Sequence, residues 1–281
     1  MGYRLEQEFN WSEASERRNR ITSAYEPLQP YVLKGFLEEF GADMFLDVGA
    51  NIGYYSIVLS GSEKLKNIYC FEPLDPAFNE IQKNIALNSL EQRIVPYQVG
   101  ISSRSGTAKM GILGELSGAN AILSTSFQEG LDVVQQTNIE TRPLDEIVQV
   151  RGHRIGMKID VEGHEEEVVK GSEELLRENN CLLQIELYDH AERSKGARDR
   201  LERLGYQKIF KIGPDVYMTN DTRFLPKTLP AIEEALALYI EHSKAPPRAH
   251  VSPPIRRRIV KGVHVEFTPK LSKYLRRLFL H

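Results

Sequence analysis

The chain has 281 residues, of which 41% are hydrophobic and 27% are charged; these are globular values, not those of a disordered or fibrous chain. Its two cysteines, Cys70 and Cys181, are too few for a disulfide scaffold and cannot alone form a four-ligand zinc site. No apolar run is long enough to cross a membrane, and the first residues contain no apolar signal segment, so we expect a cytoplasmic protein.

The net charge of −3 is unevenly distributed along the chain. Between Lys244 and His281 there are ten lysines and arginines but one acidic residue, so this tail carries +9 and the remainder −12. An acidic body repels nucleic acid, which makes nucleic acid a disfavoured partner. The basic segment 255–281 is predicted to contact an anionic membrane surface, the acidic body of the protein or a sister subunit in an oligomer.

Apolar strand-like segments alternate with helical patterns over much of the chain, which predicts an α/β fold with a mainly parallel sheet and helices on both faces. In chain order, the predicted elements are a polar arm up to about Ser23, a helix over Pro27–Phe40, a strand over Met44–Val48, a helix that ends at Ser60, a strand over Asn67–Phe71, a helix over Pro76–Asn88, a strand over Ile94–Ile101, an irregular segment over Thr107–Thr141, a strand over Ile155–Val161, a helix over Glu165–Glu178, a strand over Leu182–Leu187, a helix over Ala191–Leu204 and a terminal hairpin over Tyr206–Ile212 and Val216–Thr219.

This alternation divides the chain into three regions. Residues 1–41 form an N-terminal arm and helix, and residues 42–220 form the α/β domain. Residues 221–281 form a helical, basic extension, with one helix predicted over Pro230–Ser243 and another that begins at Thr268.

The segment Asp47-Val-Gly-Ala-Asn-Ile-Gly53 connects a buried strand to a helix and predicts a cofactor site. Its glycines allow a tight turn and a close approach of a ligand to the backbone. The following helix offers free N–H groups that suit a carboxylate or phosphate. Glu72, at the end of the next strand, can accept hydrogen bonds from the two hydroxyls of a ribose. The pair predicts a cofactor that contains adenosine, whereas the alternative is a tight turn without a ligand.

Two features distinguish this turn from a dinucleotide site. Ala50 and Asn51 stand where the second glycine of a G-x-G-x-x-G motif is required, and the carboxylate of Asp47 would repel a pyrophosphate. A ligand with an ammonium group and a single carboxylate fits better, which describes the methionine end of S-adenosylmethionine. A nicotinamide-dependent dehydrogenase is therefore disfavoured.

A second polar motif contains Lys158, Asp160, Glu162 and His164 at the end of a predicted strand. Ligands of open α/β sheets bind beyond the carboxyl ends of the strands, so these four residues are candidates for catalysis. The alternatives are a structural ion pair between Lys158 and Asp160, and a histidine that makes only a surface hydrogen bond. Glu186 lies in an otherwise apolar strand and is expected to have a partner or to line the pocket. No dense acidic cluster is visible, so no metal site is predicted.

The segments FLDVGANIGYYS, CFEP, RPLDEIV and KIDVEGHEEEVVKGS resemble the FkbM family of S-adenosylmethionine-dependent methyltransferases over about residues 42–190. The resemblance implies a Rossmann-like class I methyltransferase fold with a seven-stranded sheet. It implies that Asp47, Gly49, Asn51 and Gly53 hold the methionine end of the cofactor and that Glu72 holds the ribose. Val99-Gly100-Ile101-Ser102 stands where the family often has an Asn-x-Ala-like segment near the adenine, so Gly100 is a further cofactor candidate that departs from the pattern.

These observations predict an O-methyltransferase that acts on a hydroxyl of a carbohydrate, either a glycan or a lipid-linked saccharide, or of another small natural product. The alternative is a catalytically idle scaffold that binds S-adenosylmethionine and recruits partners through its basic tail. In the first hypothesis Asp160 orders the charged end of the cofactor and the acceptor, and Glu162 or His164 accepts the proton. Lys158 either stabilises negative charge on the acceptor or is structural.

The polar segment 111–130 is either an active-site lid or a surface loop. As a lid, it would place Ser117 and Asn120 to bind a sugar hydroxyl.

Overall fold

The structure is a computed structural model that describes residues 10–15, 29–112, 120–123, 135–188, 192–227, 257–260 and 263–266. In chain order its elements are α1 (Gln29–Phe40), β1 (Met44–Val48), α2 (Tyr54–Leu59), β2 (Asn67–Phe71), α3 (Asp75–Leu87), β3 (Ile94–Tyr97), β4 (Gly100–Ile101), β5 (Gly106–Ile112), β6 (Ala121–Ile122), β7 (Gln135–Arg142), α4 (Leu144–Ile147), β8 (Arg154–Ile159), α5 (Glu165–Lys170), α6 (Glu173–Glu178), β9 (Asn180–Glu186), α7 (Glu192–Arg203), β10 (Gln207–Ile212), β11 (Asp215–Thr219), β12 (Arg257–Val260) and β13 (Val263–Glu266).

Seven strands form the central sheet in the order β10-β11-β9-β8-β1-β2-β3. The five strands from β9 to β3 are parallel, and β11 runs antiparallel to both of its neighbours. The chain leaves β1 towards β2 and later returns on the other side of β1 as β8. The connections that follow β1 and β8 therefore lead to opposite sides of β1, which is the arrangement at which ligands bind in open α/β sheets. The predicted fold class is confirmed, including the mostly parallel sheet and the terminal hairpin.

Helices cover both faces of the sheet because successive side chains of each strand contribute alternately to two apolar clusters, one on each face. Met44, Leu46 and Val48 of β1 pack with α4, α5, α6 and α7, whereas Phe45 packs with α1, α2 and α3 on the opposite face. Asp47 shares the face of Phe45 because successive side chains of a strand point to opposite sides. The turn between β1 and α2, where the sequence predicts a cofactor, therefore begins at a carboxylate on the face covered by the apolar cluster that contains Phe45.

A second sheet has four strands in the order β4-β7-β5-β6. Strands β5, β6 and β7 lie largely in the segment Thr107–Thr141, for which the sequence predicted irregular structure with short strand-like pieces. Gly106–Ile112 of β5 pairs with residues 135–141 of β7 in a continuous antiparallel register. The predicted third strand over Ile94–Ile101 is likewise wrong in extent. It divides after Tyr97, which pairs with Phe71 in the central sheet, while Gly100–Ile101 pairs with β7 in the second sheet.

The predicted helix over Glu165–Glu178 is two helices, which separate at Gly171 and Ser172. A Cβ atom on Gly171 would lie 2.0 Å from the carbonyl oxygen of Ser102, so the chain can pass this point only without a side chain. The chain at this break lies directly against Ser102, the residue that follows β4.

The C-terminal extension contains a two-stranded antiparallel sheet, β12–β13, that was not predicted from the sequence. The helices predicted over Pro230–Ser243 and from Thr268 lie outside the described residues. Among the residues described, no helix combines the length and the apolar character needed to cross a membrane.

Candidate active site

A cavity of about 560 Å³, which includes its open mouth, lies above the carboxyl ends of β1, β2 and β8. It is lined by Val48, Gly49, Asn51, Phe71, Glu72, Pro73, Leu74, Ala77, Val99, Gly100, Ile101, Met110, Asn120, Ile122, Asp160, Val161 and Glu162. Six of the predicted site residues are therefore brought together here, namely Gly49, Asn51, Glu72, Gly100, Asp160 and Glu162. Asp47, Gly53, Lys158 and His164 are not among the lining residues.

The turn after β1 is packed directly against the second motif. Gly49 has a φ of +81°, and a Cβ atom at this position would lie 1.9 Å from the carbonyl oxygen of Asp160. The amide of Asp160 donates a hydrogen bond of 3.1 Å to the carbonyl oxygen of Val48. Because no side chain fits between them, the turn and the backbone of Asp160 form one continuous floor of the cavity.

Glu72 is the best-defined polar group of the cavity wall and is only 5% exposed. Its Oε2 accepts a hydrogen bond of 3.0 Å from the amide of Asn51, and its Oε1 accepts one of 3.0 Å from the amide of Leu74. Asn51 presents its amide from a left-handed backbone conformation with a φ of 53°. Backbone groups from two loops thus fix the carboxylate at the wall of the cavity.

Asp47 lies beneath the cofactor turn and is 1% exposed. Its Oδ2 accepts hydrogen bonds from the amide and the hydroxyl of Ser56, at 3.0 and 2.7 Å. Burial raises the pKa of Asp47, while the positive charge of Lys158 and the Ser56 hydrogen bonds act in the opposite direction. Through its hydrogen bonds to Ser56, Asp47 supports the turn from beneath. Its contact with the methionine end of a cofactor stays a prediction.

Gly53 immediately precedes α2 and has a left-handed φ of +79°.

Lys158 and Asp160 form the ion pair that was the structural alternative for these two residues. The ammonium group of Lys158 donates a hydrogen bond of 2.9 Å to Oδ2 of Asp160. Strand β8 ends at Ile159, and Glu162 has a left-handed φ of 53°, so the strand does not continue to Glu162. The turn nevertheless brings Glu162 and Asp160 to the same cavity.

A third carboxylate approaches these two from the neighbouring strand. Glu186, at the end of β9, accepts a hydrogen bond of 2.9 Å from the hydroxyl of Tyr188, so its expected partner is confirmed. Asp160, Glu162 and Glu186 each offer an oxygen within 4.8 Å of the others, a spacing that a cation can bridge. The sequence did not reveal this cluster because its members come from two strands.

His164 lies behind the cavity at the start of α5. Its Nε2 is 3.0 Å from the hydroxyl oxygen of Ser102. Burial lowers the pKa of His164, while the nearby charge of Glu167 acts in the opposite direction. The ring is therefore neutral at neutral pH and linked to the end of β4.

The second sheet forms the wall opposite β2. Met110 of β5 and Ile122 of β6 contribute apolar surface to the cavity, and Asn120, which is 8% exposed, contributes an amide. Met110 also packs with Leu74 and Ala77 at the start of α3. Asn120 was predicted to contact a ligand, whereas Ser117 lies outside the described residues.

The family described as the Methyltransferase FkbM domain matches residues 47–208, which is more than half of the chain. The chain belongs to the FkbM methyltransferase family. It is a methyltransferase with the class I fold that the resemblance implied.

This FkbM methyltransferase is similar to two curated relatives and to one solved structure. Methyltransferase sdnD of Sordaria araneosa is 26% identical over 196 residues, which cover 60% of this chain and 74% of the relative. Hexuronic acid methyltransferase AglP of Haloferax volcanii is 29% identical over 156 residues, which cover 54% of this chain and 59% of that protein. The crystal structure of methyltransferase FkbM from Methylobacillus flagellatus KT is 18% identical, with a TM-score of 0.44 and coverage of 64% of this chain and 43% of that chain.

Several site residues of this FkbM methyltransferase were not identified from the sequence. Met110 and Ile122 lie in the segment that was predicted to be irregular, although the alternation of Thr137, Ile139 and Thr141 indicates a strand there. Ser102 was noted only as part of the adenine segment, and its hydrogen bond to His164 has no signal in the local sequence.

Proposed function

We propose that this FkbM methyltransferase uses S-adenosylmethionine to methylate a hydroxyl of a carbohydrate or another small natural product. The observation that carries the proposal is the Glu72 carboxylate, which the amides of Asn51 and Leu74 hold at 3.0 Å on the wall of the cavity. A carboxylate fixed by two loops beside a glycine turn is suited to bind the two hydroxyls of a ribose.

The residues of the cavity fit S-adenosylmethionine. The cavity combines a backbone turn at Gly49, a fixed carboxylate at Glu72 and an apolar wall, the mixture of few polar groups and apolar surface that is typical of small-molecule sites. Gly49 and Asn51 would hold the methionine end, and Glu72 the ribose. The adenine would lie between Gly100 and the apolar wall of Met110 and Ile122. When bound, S-adenosylmethionine supplies a methyl group on a positively charged sulfur, and the carboxylates of the site provide a favourable field for that charge.

The acceptor hydroxyl must be oriented and must lose a proton. Orientation lowers the barrier by about 7–11 kcal/mol. A positioned base increases the reaction rate by a further factor of about 10²–10⁴. Glu162 lines the cavity and is the proposed base. His164 is less well placed for this role because its Nε2 is engaged with Ser102 at 3.0 Å. Asp160 is proposed to contact the charged end of the cofactor.

The charge of the site favours a neutral acceptor. Asp160, Glu162 and Glu186 bring three carboxylates within 4.8 Å of one another, and a carboxylate acceptor would be repelled by them. The hydroxyls of a sugar, in contrast, donate hydrogen bonds to carboxylates. The name of the relative AglP, a hexuronic acid methyltransferase, supports a carbohydrate as the class of acceptor, whereas the three carboxylates of this site favour a sugar without an acid group.

Calorimetry with S-adenosylmethionine and S-adenosylhomocysteine tests the cofactor. The wild-type protein should bind both, and Glu72→Gln should weaken both by about tenfold or more, because hydrogen bonds to a charged group are lost. Lys109→Ala, an exposed change on the second sheet, is the control. A folded wild-type protein that binds neither compound would refute the proposal.

The acceptor is tested by mass spectrometry of glycans and small metabolites incubated with S-adenosylmethionine and the protein. A hydroxyl that gains the mass of one CH₂ group supports the O-methyltransferase. Cofactor binding without a methylated product from any pool would favour the idle scaffold instead.

A further inference from the structure

Lys158 is a buried cation that reaches the cavity only through its neighbour. Its side chain is 6% exposed, and its ammonium group lies 2.9 Å from Oδ2 of Asp160. Asp160 lines the cavity, whereas Lys158 does not. The ammonium also lies 4.7 Å from the centre of the Tyr55 ring, a favourable cation–π distance. The lysine is therefore fixed on the side away from the ligand.

A row of buried polar side chains holds this lysine in place. Lys158 is in register with Asp47 on β1 and with Gln184 on β9. The amide nitrogen of Gln184 donates hydrogen bonds of 3.0 Å to the hydroxyl of Tyr55 and to Oδ1 of Asp215. Each of these contacts lies on the face of the sheet that α1 and α2 cover. Tyr55, whose ring lies 4.7 Å from the ammonium, is thus itself fixed by a buried hydrogen bond from Gln184.

The charges of this row depend on Lys158. Burial raises the pKa of Asp47 and of Asp215, and the positive charge of Lys158 acts against that rise in both. A buried carboxylate that loses its cation is strongly disfavoured in the charged form. Independently of these shifts, loss of Lys158 would remove the ammonium group that donates a hydrogen bond of 2.9 Å to Oδ2 of Asp160, so this carboxylate would be free to leave its present orientation.

We propose that Lys158 is a positioning residue that fixes the Asp160 carboxylate in the orientation in which it contacts the positively charged methyl donor. The inference rests on the proposed use of S-adenosylmethionine. It differs from the two roles weighed from the sequence. A lysine that contacted the acceptor would be expected to line the cavity, which Lys158 does not, and a purely structural lysine would be expected to leave donor binding unchanged, which the experiment below measures.

A double-mutant cycle measures whether Lys158 acts through Asp160. Lys158→Met, Asp160→Asn and the combined variant are compared by calorimetry with S-adenosylmethionine and with S-adenosylhomocysteine, which keeps the α-ammonium group but lacks the positive charge on the sulfur. Each single change should weaken S-adenosylmethionine by about tenfold and S-adenosylhomocysteine by clearly less. The combined variant should bind no more weakly than Asp160→Asn alone, because effects that pass through one residue do not add.

Two further variants keep the result interpretable. Lys170→Met removes another lysine that is paired with a carboxylate, Glu167 at 2.6 Å, and should leave both affinities unchanged. If Lys158→Met does not fold, Lys158→Gln removes the charge with a polar side chain and should weaken S-adenosylmethionine in the same selective way.

The positioning role is overturned by either of two outcomes. One is a folded Lys158→Met or Lys158→Gln variant with wild-type affinity for S-adenosylmethionine. The other is a cycle in which the two single effects multiply. A wild-type protein that binds neither compound would instead contradict the proposed function on which the inference rests.

Discussion

The carbonyl oxygen of Asp160 occupies the space next to Gly49 in which a side chain would have to begin, since a Cβ atom there would lie 1.9 Å from that oxygen. The first motif and the second motif, which are far apart in the sequence, are therefore in direct contact. This contact couples the shape of the cofactor turn to the position of the proposed donor-binding carboxylate.

Gly49→Ala should consequently damage both stability and cofactor binding. The new methyl group would push Asp160 away, and alanine is strained at a φ of +81°. We expect a loss of about 2 kcal/mol or more in the free energy of unfolding and at least a tenfold weaker affinity for S-adenosylhomocysteine. Urea unfolding and calorimetry measure the two effects.

Gly205→Ala separates backbone strain from the steric contact. Gly205 has a φ of +86°, but a Cβ atom on it would meet no atom of the described residues within 4 Å. The variant should lose about 1–2 kcal/mol of stability and keep full affinity. Equal affinities for the Gly49→Ala and wild-type proteins would show that the turn does not need this close approach.

The sequence was most informative where the apolar strands of the central sheet end. Strands β1 and β2 have the predicted bounds, Met44–Val48 and Asn67–Phe71, because each is a short run of mainly apolar residues with turn-forming residues nearby. Gly49, Glu72 and Asp160 follow such strands directly. Their meeting at one cavity thus follows from the parallel arrangement alone.

Features that depend on pairing between distant segments could not be predicted in this way. Only Met110 and Gly111 of strand β5 are buried in the structure. The sequence of this strand lacks the apolar run that indicates a buried strand. The burial of Lys158 depends on α1 and α2 covering its face of the sheet. Similarly, the partner of His164 is set by the break between α5 and α6 at Gly171, where the chain approaches Ser102.

The wall formed by the second sheet should bind the part of the cofactor that S-adenosylmethionine and S-adenosylhomocysteine share. Met110→Ala removes apolar surface from this wall and should weaken both compounds by the same factor, about tenfold. Calorimetry with each compound measures this. Lys109→Ala, at the exposed neighbouring position, should change neither affinity. A selective loss of one compound in Met110→Ala would place the wall next to the sulfur instead of the adenosine.

Glu162 should act on the rate and not on cofactor affinity. Glu162→Gln keeps the size of the side chain but removes the base, so turnover with an acceptor found by mass spectrometry should fall by about 10²–10⁴-fold. The affinity for S-adenosylhomocysteine should stay within about threefold of the wild-type value. His164→Gln should lower turnover far less. Wild-type turnover in a combined Glu162→Gln and His164→Ala variant would exclude both residues as the base.

The buried histidine should make the protein less stable in mild acid. Because burial lowers the pKa of His164 from its ordinary value of 6.5, the unfolded chain binds a proton more readily than the native protein as the pH falls below 6.5. The free energy of unfolding should therefore decrease through that range, by at most about 1.4 kcal/mol per pH unit, and this contribution should level off below the native pKa. The effect fades over about one pH unit above 6.5, since the ring is then mostly neutral in both states. Urea unfolding between about pH 7.5 and about pH 5 measures it, with His164→Gln as the control that retains a hydrogen-bonding side chain near Ser102 but cannot titrate. Parallel pH profiles for the wild-type and His164→Gln proteins would contradict the assignment.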